Sequence, residues 1–203
     1  MNFIEKYDKV LTLDECNHII SLFKECPFLN RGYAGGNLNL TIKNSINLDL
    51  YFGFDDRCKT QGNVEINNII APKLRECVDL YKEKYPAICN GVGRWGIDAD
   101  YHISFFKEKV GGYFGKHCEQ GDLQTSPRML VWMIYLNDAK SGTRFYHQKV
   151  DMKSQAGRVV LWPAAWTHTH SGITPNKSDK YIITGWYKFI ENSECMDTIQ
   201  TAT

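Results

Sequence analysis

The segment Met129-Leu130-Val131-Trp132-Met133-Ile134-Tyr135-Leu136 decides the fold, because apolar side chains occupy both of its faces. Successive side chains of a β-strand point to opposite faces of the sheet, so a strand that is apolar throughout is buried on both sides. The segment therefore predicts a central strand.

Short β-rich runs flank this segment along the chain. Gly, Asn, Asp and Pro separate them, and their spacing is typical of a β-sandwich or barrel rather than of alternating strands and helices. They comprise Tyr101–Phe106, Thr143–Tyr146, Gly157–Trp162 and Lys180–Phe189. Farther upstream, apolar and polar residues alternate from Leu38 to Leu50, which predicts one more, half-buried strand.

Two helical patterns precede the β-rich part. Thr12-Leu13-Asp14-Glu15 has the sequence of a capping box, in which Thr12 caps the helix and Glu15 reaches back. Pro27 ends this helix. The second pattern extends from about Val64 to Tyr81, and Pro72 within it predicts a kink or a second start. Both helices are expected to cover one face of a sheet.

The chain shows no internal repeat, linker or low-complexity segment, and its 203 residues suit a single domain. Within this domain we expect a support region of helices and strand over residues 1–100. A β-rich core follows over residues 101–189, and residues 190–203 form a polar tail.

Composition excludes several classes of protein. A net charge of +1, from 24 basic and 23 acidic residues, indicates neither nucleic acid nor an anionic membrane as a partner. The seven cysteines are odd in number and form no C-x-x-C pair, so neither a disulfide framework nor a zinc ribbon is expected. Without a signal peptide or a run of about 18 apolar residues, the sequence favours a cytoplasmic protein with reduced thiols.

His117-Cys118-Glu119 is the first candidate metal site. On a strand, residues i and i+2 point to the same face, so the imidazole and the carboxylate could meet one ion. A second histidine would complete the triad of two histidines and one carboxylate that leaves positions open on Fe(II). His168 and His170, at the end of a distant β-rich stretch, are both candidates for it.

Lys180 is the second unusual residue, because it opens a strand whose other residues on the same face are Ile182, Thr184 and Trp186. A cation is costly to bury. Burial is reasonable if a carboxylate ligand pairs with the ammonium; the alternative is a side chain that extends to solvent.

The motifs, taken in order, resemble those of the prolyl 4-hydroxylase-like 2-oxoglutarate/Fe(II)-dependent dioxygenases. The resemblance covers Tyr101–Phe189 well, and Thr12–Glu25 is similar to the leading helix of that family. The matching residues are Gly112-Tyr113, His117-Cys118-Glu119, Arg128, Tyr135-Leu136-Asn137, Gly142-Thr143-Arg144-Phe145, Gly157-Arg158, His170 and Lys180-Tyr181.

The resemblance implies a mainly β fold with flanking α-helices, whose core is a double-stranded β-helix (a jelly roll of the cupin-like type). It implies that His117, Glu119 and His170 bind Fe(II), since the family's ten-residue spacing to the lysine selects His170 over His168. The cosubstrate 2-oxoglutarate would chelate the iron, pair its far carboxylate with Lys180 and accept a hydrogen bond from Tyr135. O₂ would take the remaining position on the metal.

The activity that the resemblance implies is hydroxylation of a peptidyl proline or a similar C–H, with release of succinate and CO₂. Ascorbate would support full activity. Alternatives keep the cofactors but act on a free amino acid, another side chain or a methylated base, and a different class is a non-catalytic β-sandwich binding module. The expected partner is a peptide, protein or small-molecule substrate, with no nucleic acid and no membrane; no motif identifies the substrate or the oligomeric state.

Two residues depart from the family pattern. Glu119 stands where the family usually has aspartate, and its extra methylene adds roughly 1.5 Å that the backbone or rotamer must absorb. Phe114 stands where the family often has tyrosine, so any hydrogen bond from that tyrosine is lost or is made by Tyr113.

Overall fold

Helices α1 (Leu13–Glu25) and α2 (Gln61–Lys84) cover one face of a seven-stranded antiparallel sheet. The computed structural model describes residues 1–53 and 60–190, and a short helix, α3 (Ala87–Asn90), follows α2. Apolar residues at helical spacing on α1 and α2 are buried against the sheet, which confirms the predicted packing.

The ends of the helices follow from local hydrogen bonds. The Thr12 side chain accepts from the backbone N–H of Glu15 at 3.2 Å, and the Glu15 carboxylate accepts from the backbone N–H of Thr12 at 2.8 Å, so the predicted capping box is confirmed. Helix α2 begins earlier than predicted, because the Thr60 side chain caps it. It continues through Pro72 as one helix, so a second start at this proline is wrong.

The large sheet consists of seven strands, each antiparallel to its neighbours. In order across the sheet they are β1 (Glu5–Tyr7), β10 (Arg158–Pro163), β7 (Arg128–Tyr135), β12 (Lys180–Phe189), β5 (Trp95–Phe106), β4 (Ile46–Tyr51) and β2 (Asn30–Arg31). Strand β7 lies between β10 and β12, which confirms the predicted central strand.

Two smaller antiparallel sheets complete the β-structure. Three strands form the first, in the order β11 (His170–Ile173), β8 (Gly142–Phe145) and β9 (Val150–Lys153). The pair β3 (Lys43–Asn44) and β6 (Gly112–Tyr113) forms the second. A mainly antiparallel β-structure with helices on one side agrees with the class expected from the sequence.

Strand β7 separates two apolar cores. Trp132 and Ile134 point towards the helices and belong to the larger core. Met133 and Tyr135 point the other way, into a second core that also includes residues of the three-stranded sheet. All four side chains are buried, and full burial of a large apolar side chain contributes about 1.5–3 kcal/mol. The two cores hold the large sheet rigidly beneath the site described below.

The predicted strand from Leu38 to Leu50 is wrong in its first half. The Asn39 side chain accepts from the backbone N–H of Thr41 at 3.0 Å, and the Asn39 carbonyl accepts from the N–H of Ile42 and of Lys43. An asparagine that bonds its own backbone in this way forms a turn in place of a strand. Regular pairing therefore starts only at Lys43.

The predicted division of the chain is affected by one strand. Because β5 begins at Trp95, the boundary drawn after residue 100 falls inside a strand. The tail from residue 191 onward lies outside the described residues, as do Cys58 and Cys195, while the five described cysteines are free thiols. Among the described residues, no helix combines the length and the apolar character that a membrane span requires.

Candidate metal centre and cofactor cavity

Two imidazoles and one carboxylate meet between the large sheet and the three-stranded sheet. The Nε2 atoms of His117 and His170 each lie 3.4 Å from Oε1 of Glu119. The possible ligand atoms of the three residues all lie within 4.8 Å of one another. The structure therefore brings together the three residues that the sequence singled out as iron ligands.

Backbone hydrogen bonds hold the ligand-bearing segments together. His117 and His170 exchange two of them, at 3.0 and 2.9 Å, and the N–H of Glu119 donates to the carbonyl of Ala164 at 3.0 Å. The expectation that His117 and Glu119 lie on a regular strand is wrong, because this segment forms only an isolated bridge and bends at Glu119. Anchoring at both residues still directs the two side chains to one centre.

Both imidazoles are fixed in the tautomer that suits a metal ligand. The Nδ1 of His117 donates to the carbonyl of Gly115 at 2.9 Å, and the Nδ1 of His170 donates to the carbonyl of His168 at 2.9 Å. A carbonyl can only accept, so the proton sits on Nδ1 and the lone pair of Nε2 faces the centre. Burial also lowers the pKa of His170, against the opposing effect of Glu119, which favours the neutral ring.

Glu119 is ionised and held on its outer side by two residues. Its Oε2 accepts from the indole N–H of Trp186 at 3.0 Å and lies 3.5 Å from Nη1 of Arg128. The Arg128 guanidinium stacks 3.6 Å from the centre of the Trp186 ring. Burial alone would raise the pKa of Glu119, but without a metal the hydrogen bonds and charges of His117 and His170 in their protonated form lower it well below its usual range, and a metal ion would take the place of the Nε2 protons. A carboxylate therefore faces the two imidazoles.

His168, the alternative ligand, points away from this centre. It ends a 3₁₀ turn (Trp166–His168), its Nε2 donates to the carbonyl of Asn2 at 2.9 Å, and its Nδ1 lies 3.0 Å from the Thr167 hydroxyl. Both ring nitrogens are thus engaged in ties to the backbone and to a neighbour. The geometry favours His170 over His168 as the third ligand.

A cavity of about 370 Å³ adjoins the three side chains, and Lys180 lies in its wall. Lys180 is only 1% exposed, so the alternative of a side chain that extends to solvent is wrong. Its Nζ donates to the carbonyls of Gly142 and Ile173, each at 3.3 Å, and burial lowers its pKa to about 7. In the part of the chain that the structure describes, no carboxylate pairs with it.

The face of β12 predicted from alternation is confirmed. Lys180, Ile182, Thr184 and Trp186 all line the cavity. In its pairing with β5 the strand carries a register irregularity between Gly185 and Tyr187, and Trp186 remains on the cavity side through it.

The ammonium of Lys180 is positioned by a glycine. A Cβ at Gly142 would collide with the carbonyl of Met152 on the adjacent strand, so β8 and β9 can approach this closely only with glycine here. That approach sets the Gly142 carbonyl beside Nζ of Lys180. The Gly-Thr motif of the sequence thus has a structural reason.

Tyr135 does not face the cavity. Its hydroxyl donates to Oγ1 of Thr143 at 2.8 Å and lies 3.3 Å from the carbonyl of Met152, and Thr143 is the residue that lines the cavity. The expected direct contact between Tyr135 and a cosubstrate is therefore not what this geometry offers. Thr143 is not among the cosubstrate residues predicted from the sequence, although it lies within the Gly142-Thr143 motif.

Tyr113 covers the first histidine. Its ring lies parallel to that of His117, with 3.7 Å between centroids and 10° between planes. Phe114, which stands in the place of the family's tyrosine, is 41% exposed. Burial raises the pKa of Tyr113 to about 12, so this phenol is neutral. Its contact with His117 is stacking, and no hydrogen bond between the two rings is formed.

Comparison with protein families gives one match. Residues 101–188 match the model of the 2OG-Fe(II) oxygenase superfamily. Comparison with curated protein sequences gives no match. The matched range contains all three converging side chains and Lys180.

Solved structures with the same fold include prolyl hydroxylases. A viral collagen prolyl hydroxylase from Paramecium Bursaria Chlorella virus-1, solved with 2OG, matches with a TM-score of 0.64 and 17% identity over 93% of this chain and 97% of that chain. A Pseudomonas putida prolyl-4-hydroxylase matches with a TM-score of 0.59 and 16% identity over 93% and 94%. A Burkholderia pseudomallei oxidoreductase of the 2OG-Fe(II) oxygenase family matches with a TM-score of 0.62 and 12% identity over 92% and 85%.

These matches confirm the resemblance seen in the sequence and the fold class, a double-stranded β-helix with flanking helices. They support an oxygenase of the 2OG-Fe(II) type, whose cofactors are Fe(II), 2-oxoglutarate and O₂. At these identities the solved structures show the fold alone, and the substrate has to be argued from the cavity.

Proposed function

We propose that the protein is a cytoplasmic oxygenase that binds Fe(II) through His117, Glu119 and His170. It uses 2-oxoglutarate and O₂ to hydroxylate a peptidyl proline or a similar C–H, and it releases succinate and CO₂. The observation that carries the proposal is the convergence of two Nε2 lone pairs and one carboxylate oxygen within 4.8 Å, next to a buried ammonium without a counter-ion among the described residues.

The donor set fits Fe(II). Two neutral imidazoles and one carboxylate leave a divalent metal with one net positive charge and with open positions for other ligands. When bound, the iron and 2-oxoglutarate supply the oxidising chemistry, and the protein supplies binding, orientation and exclusion of water. The extra methylene of Glu119 is accommodated because the chain bends at this residue rather than continuing as a regular strand.

Residues behind the ligands fix their orientation. The carbonyls of Gly115 and His168 hold the two imidazoles, and Trp186 holds Oε2 of Glu119. Such outer partners typically change metal affinity or activity by about 10–100-fold. Trp186 is therefore a positioning residue for the carboxylate ligand.

Lys180 is suited to bind the far carboxylate of 2-oxoglutarate. Its present partners are two neutral carbonyls at 3.3 Å, and the only cause of its lowered pKa is burial, so the ammonium has no charge of opposite sign to offset desolvation. The Thr143 hydroxyl accepts a hydrogen bond from Tyr135 and donates only to the weakly accepting sulfur of Met133 at 3.9 Å, so it can turn to donate to a carboxylate oxygen instead. Tyr135 would thus act on the cosubstrate through Thr143.

Peptidyl proline as the substrate is supported by two of the similar structures, which are prolyl hydroxylases. A second candidate keeps the same cofactors and takes a small molecule with an acidic group, such as a free amino acid. A second buried lysine in the cavity favours this candidate and is treated below.

The test of the proposed function has two stages. First, Fe(II) and 2-oxoglutarate are added without O₂, and the charge-transfer absorption expected of the ternary complex is recorded. Second, O₂ and ascorbate are admitted and succinate is measured, with and without a proline-containing peptide. A binding module without catalytic function would give neither the absorption nor succinate, and that outcome would reject the proposal.

The substrate is identified by its product. Mass spectrometry of a cell lysate treated with the enzyme and 2-oxoglutarate should reveal molecules that gain one oxygen atom, and only in the presence of active enzyme. The Glu119→Ala variant is the matched control. Oxidised peptidyl proline among the products would support the prolyl assignment, and oxidised free acids alone would contradict it.

A further inference from the structure

A second buried lysine lines the same cavity. Lys43, on the short strand β3, is 6% exposed. Within residues 1–53 and 60–190 its side chain makes no hydrogen bond or ion pair, and its ammonium lies 5.2 Å from the centre of the Tyr113 ring. A buried, unpaired ammonium is costly unless a ligand supplies the counter-charge.

The position of Lys43 is built into the fold. Strand β3 pairs Lys43 with Tyr113 of β6, the residue that stacks on His117. On its other side the lysine side chain packs against Gly32, where an added Cβ would be 3.0 Å from the Cε atom of Lys43 and would collide with the Ser45 hydroxyl. The Lys43 side chain thus lies between the backbone of Gly32 and the Tyr113 ring, which stacks on His117.

Lys43 and Lys180 are at different places in the cavity. Along the paired strands β12 and β5, Lys180 lies opposite Phe106, whereas Thr184 lies opposite His102, about 13 Å farther along at 3.3 Å per residue. Lys180 packs over Phe106. Lys43 lies over the Tyr113 ring and lines the same cavity as His102, whose pKa is lowered to about 3, first by burial and then by the charge of Lys43. The two ammoniums thus have different surroundings: Lys180 lies between the carbonyls of Gly142 and Ile173, and Lys43 lies over the Tyr113 ring.

The charges of the site with Fe(II) and 2-oxoglutarate bound also leave Lys43 without a counter-charge. Fe(II) contributes two positive charges, 2-oxoglutarate two negative, Glu119 one negative and Lys180 one positive, so these groups together are neutral. Lys43 and Arg128, which also lines the cavity, then remain as two further cations, and burial keeps His102 beside them neutral. The charge of Glu119, which attracts both of them here, is shared with the metal once iron binds.

Acidic residues nearby offset these cations only in part. Asp98, Asp100 and Asp122 attract Arg128, but Asp98 also forms an ion pair with Lys188, and Asp122, which lines the cavity too, is exposed and hydrogen-bonded by Thr125. Besides Glu119, the one acid among the described residues that attracts Lys43 is Asp49, whose side chain accepts from Asn30 at the surface. Lys43 is therefore the cation most in need of a ligand.

We propose that Lys43, assisted by Arg128, forms a second anion subsite that binds a carboxylate of the molecule to be oxidised. The inference rests on the proposed function and adds the class of substrate, an acid. The carboxylate could be that of a free or C-terminal amino acid or that of an acidic side chain beside the oxidised residue, and the two arms of the test distinguish these sources.

The test compares matched probes that differ only in charge. The first pair is N-acetyl-L-proline and N-acetyl-L-prolinamide; the second is a capped Pro-Glu peptide and its Pro-Gln counterpart. Binding to the protein is followed by quenching of tryptophan fluorescence, without O₂, both in the metal-free state and with Fe(II) and 2-oxoglutarate. At least one acid should bind about tenfold more tightly than its neutral partner, as expected for a hydrogen bond to a charged group.

Substitutions then assign that preference to Lys43. Lys43→Met should abolish the difference between acid and neutral probe while the Kd of 2-oxoglutarate changes less than about twofold. Lys180→Met should do the reverse. Lys140→Met, which removes an exposed lysine, is the matched control and should change neither. Lys43→Gln, which keeps a polar end group, replaces Lys43→Met if that variant fails to fold.

Each outcome of these binding experiments supports or overturns the second anion subsite. Equal binding of acid and neutral probes in both pairs, including no binding of any probe at about 10 mM, would overturn the subsite. A rise in the Kd of 2-oxoglutarate in Lys43→Met, comparable to that in Lys180→Met, would assign Lys43 to the cosubstrate and also overturn it. Failure of the proposed function differs from both, because the wild type would then bind no 2-oxoglutarate while the metal-free protein still prefers the acids.

Discussion

Replacing Lys180 by methionine tests the cosubstrate site directly. Methionine keeps the length and apolar volume of the side chain but removes the charge that we assign to the far carboxylate of 2-oxoglutarate. Removal of one partner of a buried ion pair costs about 3–5 kcal/mol, and 1.4 kcal/mol is a factor of ten in affinity. The Kd of 2-oxoglutarate should therefore rise by about 10²–10³.

The pH dependence of 2-oxoglutarate binding to the wild type gives a second, independent test of Lys180. Burial lowers the pKa of Lys180 from 10.5 to about 7, so the neutral amine predominates above that pH in the ligand-free protein. A carboxylate binds the ammonium form, so binding above pH 7 must first protonate the amine. The apparent Kd should be nearly constant below pH 6, should rise about fivefold between pH 7 and pH 8, and should rise about tenfold per pH unit above that.

The assay is anaerobic titration of the Fe(II) protein with 2-oxoglutarate, followed by charge-transfer absorption at several pH values. Lys180→Arg should remove most of this pH dependence, because arginine stays charged, although its wider guanidinium fits less well among the carbonyls of Gly142 and Ile173. An unchanged Kd in Lys180→Met would refute the assignment, and Arg128 would become the cation to test.

Three further predictions concern the other residues of the site. Glu119→Ala should weaken Fe(II) binding at least about a hundredfold, measured by equilibrium dialysis, because two imidazoles alone leave the charge of the metal uncompensated; Glu119→Asp should keep partial activity, and wild-type turnover in Glu119→Ala would contradict the ligand assignment. His170→Ala should eliminate the charge-transfer absorption, whereas His168→Ala should keep it, and the opposite pattern would exchange the two histidines. Tyr135→Phe should raise the Kd of 2-oxoglutarate only about fivefold, since it removes one neutral hydrogen bond to Thr143; an effect as large as that of Lys180→Met would mean that Tyr135 contacts the cosubstrate directly.

Patterns with a strict period were the most informative part of the sequence. The apolar run at residues 129–136 predicts the central strand, because only a strand covered on both faces can be apolar throughout. The alternation after Lys180 predicts which side chains of β12 face the cavity. The capping box predicts the start of α1. Each of these features depends on neighbours along the chain, so local chemistry is sufficient to specify it.

The strand predictions were wrong where local hydrogen bonds override the periodic pattern of apolar residues. Asn39 turns its own backbone and ends the alternating pattern that begins at Leu38. At Glu119 the chain bends instead of forming a strand. Backbone hydrogen bonds of His117 with His170 and of Glu119 with Ala164 direct the two side chains to one centre in place of a strand. Patterns of hydrophobicity do not contain this information.

Residues contributed from a distance could not be found by spacing. Trp186 reaches Glu119 from across 67 positions of the sequence, and Lys43 comes from a two-residue strand within a segment that was expected to be longer. Thr143 lines the cavity and Tyr135 does not, because the Tyr135 hydroxyl ends at a hydrogen bond to the Thr143 side chain. Which of these residues reaches the site depends on how the two sheets pack against each other.

The cost of burying Lys180 links stability to function. Because its pKa is about 7 in the folded protein and 10.5 in its ordinary state, the unfolded chain binds more protons between these values, and the free energy of unfolding rises with pH across that window. Below pH 7 the full penalty applies, about 4–5 kcal/mol at 1.36 kcal/mol per pKa unit, so an apolar residue at position 180 would give a more stable protein. A carboxylate that binds the ammonium removes this penalty, so the free energy withheld from folding becomes available for binding. The lysine is therefore best explained by its ligand, and the same reasoning applies to Lys43, whose pKa is likewise lowered by burial and whose side chain has no ion-pair partner among the described residues.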